Sequence, residues 1–75
     1  MEKIVVGIDV SKDRLDIAIR PGGACFAVGR TAAGVDDIIV QFKGQDVKLI
    51  ALEATGGFET VVAAALGAAG LPVVI

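Results

Sequence analysis

Two runs of β-branched and aliphatic residues, each leading straight into an acid, constrain this chain more than any other feature. Lys3-Ile4-Val5-Val6-Gly7-Ile8 ends on Asp9, and Leu49-Ile50-Ala51-Leu52 ends on Glu53. Short, bounded apolar runs rich in Val and Ile are strand signals. A carboxylate at the exit of such a strand costs little, because the chain surfaces there. Two of them suggest a shared polar edge at which a divalent metal can be held by oxygen.

The rest of the chain reads as elements arranged around those two strands. Lys3 to Asp9 is the first strand, continuous enough in its apolar character to be buried on both faces. By period-two alternation Asp9 shares a face with Val5 and Gly7, and Gly7 leaves room beside the carboxylate. Ser11-Lys12-Asp13 supplies a turn. Arg14 to Arg20 then alternates cleanly, with Leu15, Ile17 and Ile19 on one face and Arg14, Asp16, Ala18 and Arg20 on the other. This is the pattern of a half-exposed antiparallel strand. Pro21-Gly22-Gly23 turns the chain, and Ala24 to Gly29 completes a β-meander.

Thr31 is suited to cap a first helix. Val35, Ile38, Ile39 and Phe42 follow at helical spacing, and Gly44 fits the position that ends it. A fourth strand runs from Val47 to about Leu52. Thr55-Gly56-Gly57 opens a second helix, with Val61, Val62, Ala65, Leu66 and Ala69 facing the sheet and Gly70 as its stop. Pro72 leads into a fifth strand. The order β-β-β-α-β-α-β, with right-handed crossovers, predicts an α/β fold with a mixed sheet ordered 3-2-1-4-5. Asp9 and Glu53 then meet at one edge. This is the ribonuclease H-like topology.

Composition narrows the chemistry. The chain of 75 residues is one small domain at most, and a chain of this size buries only roughly 60% of its unfolded surface. It is 55% hydrophobic yet has three Phe and no Trp or Tyr, so the core is built from Val, Ile, Leu and Ala, as in a sheet covered by helices. No apolar run approaches the ~20 residues of a membrane span. Asp9 also interrupts any signal-like start, so a cytoplasmic location without membrane contact is expected. A single cysteine, Cys25, excludes an internal disulfide and a cysteine-based metal site. With no histidine either, a metal site here must use oxygen, which favours Mg²⁺ or Mn²⁺. The net charge of −2 and the scattered basic residues exclude a strong nucleic-acid interface within this segment alone. Asp13, Asp16, Asp36, Asp37, Asp46 and Glu59 read as solvated surface, and Cys25 as a small sheet residue.

Three stretches together are specific: Gly7-Ile8-Asp9-Val10-Ser11-Lys12 with Leu15-Asp16; Leu52-Glu53-Ala54-Thr55-Gly56-Gly57-Phe58-Glu59; and Leu66-Gly67-Ala68-Ala69-Gly70-Leu71-Pro72-Val73. In this order they closely resemble the N-terminal part of the DEDD insertion-sequence transposases, the family that also contains the pilin-gene invertase. The resemblance spans nearly all of residues 1–75. It implies a resolvase-like ribonuclease H domain with four metal-binding acids, of which Asp9 matches the first and Glu53 the second. It places the remaining two acids, and a C-terminal domain with a nucleophilic serine, beyond Ile75, so that the domain is truncated. The expected function is therefore that of a fragment of a metal-dependent DNA transposase or recombinase, inactive alone. DNA is the partner of the full-length protein, and in some members a structured guide RNA as well. Ser11, Lys12, Thr55 and Gly56 are candidate contacts to phosphate or DNA near the acids.

Two other functions compete. One is the N-terminal lobe of an actin-like ATPase or sugar kinase, which resembles this chain in element order and in its Gly-Ile-Asp strand. Its phosphate-binding hairpin usually has glycine two residues after the Asp, where this chain has Ser11. The other is a non-catalytic, self-associating remnant. An open edge at the fifth strand and bare apolar surface predict a homodimer, formed by edge pairing or strand swapping.

Overall fold

The computed structural model of the chain describes residues 3–54 and 56–75. Its elements are β1 (Ile4–Val10), β2 (Arg14–Arg20), β3 (Cys25–Gly29), α1 (Ala32–Lys43), β4 (Val47–Ala54), α2 (Glu59–Ala68) and β5 (Val73–Val74). One five-stranded mixed sheet holds them in the order β3-β2-β1-β4-β5. β1 is antiparallel to β2 and parallel to β4, so the two acid-terminated strands are direct neighbours at the centre of the sheet.

Alternation decides what is buried. Val6, Ile8 and Val10 of β1, Leu15 and Ile17 of β2, and Ile50 and Leu52 of β4 point to one face. There they form a single core with Val35, Ile38 and Phe42 of α1 and Val62 and Leu66 of α2. Both helices therefore lie on the same side, and each fully buried side chain stabilises the fold by about 1.5–3 kcal/mol relative to exposure. The opposite face of the sheet is uncovered. Here the structure corrects the reading of β1 as buried on both faces: Val5 is 37% exposed and Asp9 lies in the open. Apolar character continued through Val5 because a flat sheet interior favours β-branched residues on either face, whatever covers them.

α1 forms as its sequence requires. Thr31 is extended (φ −132°, ψ 165°), and its hydroxyl oxygen accepts the Gly34 amide at 3.0 Å. Gly34 packs so closely on β3 that a Cβ there would collide with the Gly29 carbonyl. Gly44 ends the helix with φ −86°, so it sits at the cap without using the left-handed region. α2 departs further from expectation. It starts at Glu59 instead of at Thr55-Gly56-Gly57, because Gly56 and Gly57 take φ of +85° and +78°, outside the right-handed helical region. Thr55 itself lies outside the described residues. Val61, expected to face the sheet, is 72% exposed, while Val62 and Leu66 are the buried residues of α2. α2 closes in a Schellman motif: Leu71 donates to the Leu66 carbonyl (3.1 Å), Gly70 to that of Gly67 (2.9 Å), and Gly70 has φ +85°. Among the described residues no helix is long and apolar enough to cross a membrane.

Candidate metal site at the strand exits

The strand register builds the site. Asp9 of β1 is the direct neighbour of Glu53 of β4, and on the other side of Asp16 of β2. Side chains in register on adjacent strands share a face with Cβ atoms about 4.5–5.5 Å apart. Asp16, Asp9 and Glu53 thus form a row of carboxylates across three strands, on the uncovered face. The two acids singled out from sequence are brought together, and Asp16, taken for plain surface, stands beside them. Its Oδ2 accepts the Arg14 Nε–H at 3.1 Å, an ion pair in which both side chains remain substantially exposed. That pair neutralises one end of the row and leaves Asp9 at its centre and Glu53 at its other end without an ion pair among the described residues.

Below the carboxylates the floor is low. The next row along the open face is Cys25, Ala18, Gly7, Ala51 and Val74, mostly small residues. A hollow of about 250 Å³, lined by Gly7, Ala18 and Ala51, lies between Asp9 and Glu53. A Cβ on Gly7 would meet nothing within 4 Å, so the space beside the carboxylates is real.

As a donor set, Asp9 and Glu53 fit a hard divalent cation. Both offer carboxylate oxygens, both are exposed, and they approach from adjacent strands. Mg²⁺ in particular is commonly held by one or two carboxylates while keeping several waters. Among the described residues no group of three or more Asp, Glu, His or Cys side chains is arranged to hold a metal. Ion-paired Asp16 therefore does not complete a third ligand position.

The remaining candidates fall around this row. Ser11 is exposed in the β1–β2 hairpin, but its backbone N–H and its hydroxyl both donate to the Arg14 carbonyl at 3.0 Å. Its polar groups serve the turn. Lys12 is exposed at the tip of that hairpin. Gly56 is exposed and left-handed, and a Cβ there would come within 3.0 Å of the Phe58 ring, so the ring folds back over it. α2 begins three residues beyond Gly56, and its first turn carries an acid, Glu59.

One residue missed by sequence reasoning is Arg30, which follows β3. Its Nε–H donates to the Lys12 carbonyl at 2.6 Å, its backbone N–H donates to the Asp13 carbonyl at 3.1 Å, and its guanidinium lies 4.6 Å from the centre of the Phe58 ring. Its partners are main-chain carbonyls and one aromatic face, so no charge pattern in the sequence advertises it.

No family model matches the sequence, and no curated protein matches it. Among solved structures, one similar chain is an uncharacterised protein from Pseudomonas aeruginosa with similarity to the peptidase YeaZ. It is 18% identical, with a TM-score of 0.50 over 97% of this chain and 42% of that one. At that identity the likeness shows the arrangement of strands and helices alone. The present chain thus spans less than half the length of that structure.

Proposed function

We propose that this chain is the N-terminal part of a ribonuclease H-like catalytic domain of the DEDD transposase type. In this reading it acts on DNA with Mg²⁺ or Mn²⁺, and Asp9 and Glu53 supply two of the metal-binding carboxylates. The observation that carries the reading is the pairing of Asp9 with Glu53 on neighbouring parallel strands, over a floor of Gly7, Ala18 and Ala51. The sheet order 3-2-1-4-5 supports the ribonuclease H-like assignment, and the three sequence stretches quoted above support the family.

The chemistry follows from charge. A divalent cation between such carboxylates supplies neutralisation of phosphodiester oxygens and activation of an attacking oxygen. The chain's own part is to present Asp9 and Glu53 side by side and to keep the floor low enough for a sugar-phosphate backbone to approach. Lys12 adds a positive group at the rim of the same edge. With two acids, metal affinity is weak and catalysis by these residues alone is absent. DNA affinity within this segment is also low, since its net charge is negative.

The actin-like ATPase reading needs backbone amides in the first hairpin free to cradle phosphate. Here the Ser11 amide is occupied by Arg14, and no glycine stands between Asp9 and Arg20. Self-association is compatible with the transposase reading and is favoured by exposed Val5 and Val74 on the uncovered face and beside the sheet edge.

An amide-NMR titration with Mn²⁺ tests the proposal. Broadening centred on Asp9 and Glu53, abolished in Asp9→Asn, is the expected result. Absence of that broadening, with Mg-ADP instead shifting Val10 to Arg14, would replace the proposal with the ATPase reading.

A further inference from the structure

Three connections converge at the edge that bears the carboxylates. β1 leaves Asp9 and enters the Ser11–Asp13 hairpin. β4 leaves Glu53 and enters the connection containing Gly56 and Phe58. β3, parallel to β1 in space, ends at the same edge and is followed by Arg30. The two carboxylates stand at the roots of the first two connections, and Arg30 touches both. On the hairpin side it makes two hydrogen bonds, Nε–H to the Lys12 carbonyl and N–H to the Asp13 carbonyl. On the other side its guanidinium stacks on Phe58, whose ring is backed by Gly56. Among the described residues no direct hydrogen bond joins the hairpin to the Gly56–Phe58 segment.

We propose that Arg30 is a positioning residue that clasps the connections following β1 and β4, just beyond the last ladder pair of Val10 and Ala54, so that the Asp9–Glu53 end of the ladder does not fray. A guanidinium suits this task because its edge donates hydrogen bonds in plane while its face stacks on an aromatic ring. Lysine carries the charge but lacks the planar fork. Gly56 belongs to the same device: its φ of +85° strains any side chain, and a Cβ there would crowd the edge of the Phe58 ring at 3.0 Å. That the clasp serves metal binding rests on the function proposed above; the mechanical coupling does not.

The test is to disturb one side of Arg30 and observe the other. Phe58→Leu keeps an apolar side chain but removes the ring face. Amide hydrogen exchange is followed at Ser11 and Arg30, which are hydrogen-bonded within or onto the hairpin, and at Ile19, whose amide bonds to the Ala24 carbonyl at the far end of the sheet. Several-fold faster exchange at Ser11 and Arg30 with Ile19 unchanged is expected, and Phe58→Leu added to Arg30→Ala should change Ser11 no further. Unchanged exchange in the hairpin, or acceleration that includes Ile19 equally, overturns the clasp. Mn²⁺ affinity is measured in parallel and should fall several-fold in Phe58→Leu, although Phe58 carries no ligand atom. Exchange coupling with undiminished Mn²⁺ affinity would overturn the positioning role. A wild-type chain that binds no Mn²⁺ would sink the proposed function instead, and exchange alone would then decide the clasp.

Discussion

The two faces of the sheet are made from alternate residues of the same strands, yet they do opposite things. On the covered face Val6, Ile8, Val10, Leu15, Ile17, Ile50 and Leu52 pack against two helices and are almost wholly removed from water. On the open face Val5, Gly7, Asp9, Asp16, Ala18, Ala51 and Glu53 present small side chains and a line of like charge. Stability resides in one parity and chemistry in the other. Carboxylates crowded in register oppose each other, an arrangement a fold tolerates only where a solid core elsewhere offsets it.

Substitutions of graded size should break or sharpen that contrast. The largest effect is expected on the covered face: Phe42→Ala empties a site that is 1% exposed and should cost about 3–5 kcal/mol, enough to unfold much of so small a domain. Urea denaturation followed by circular dichroism measures it, and a loss below 1 kcal/mol would deny the core its assigned role. Next is Gly34→Ala, where the new methyl meets the Gly29 backbone and α1 must shift off the sheet, costing about 1–3 kcal/mol. Thr31→Ala removes the α1 cap and should lower stability by about 1 kcal/mol, or about 4–8 °C in Tm for a domain of this size.

The sign reverses on the open face. Asp9→Asn removes the central charge of the row and should raise stability by about 0.2–1 kcal/mol without metal, since like charges directly across strands repel. The same change should abolish Mn²⁺ broadening. A destabilised Asp9→Asn would mean that the carboxylate is structural. Gly7→Ala is the smallest and most informative change. Its methyl meets no neighbour, so thermal melting should show it neutral or up to about 1 kcal/mol more stable.

Much of this was legible in the chain. The alternation from Arg14 to Arg20 matches β2 residue for residue, and Thr31 with Val35, Ile38 and Phe42 marks α1, because both signals are local periodicities. The pairing of Asp9 with Glu53 followed from topology alone. Asp16 was within reach once the turn is shortened to Lys12-Asp13: Ser11 then stands opposite Arg14, Val10 opposite Leu15 and Asp9 opposite Asp16. Two things were hidden. The start of α2 depends on positive φ at Gly56 and Gly57, which glycine permits but does not announce. Arg30 depends on carbonyls far back in the sequence and on a ring far ahead, contacts that exist only once the strands have been ordered.

The central position of β1 has a kinetic consequence. Its antiparallel edge can zip to β2 at once through the tight Lys12-Asp13 turn, whereas its parallel edge must wait for β4 to return from an excursion through β2, β3 and α1. Closing that long loop costs entropy before any contact repays it. The β1–β2–β3 meander is therefore expected to form early, carrying Asp9 and Asp16, and Glu53 to arrive last. Acquisition of the complete carboxylate row would then report the final ordering of the chain, and a metal-sensitive probe at Asp9 should trail the appearance of hairpin structure in refolding.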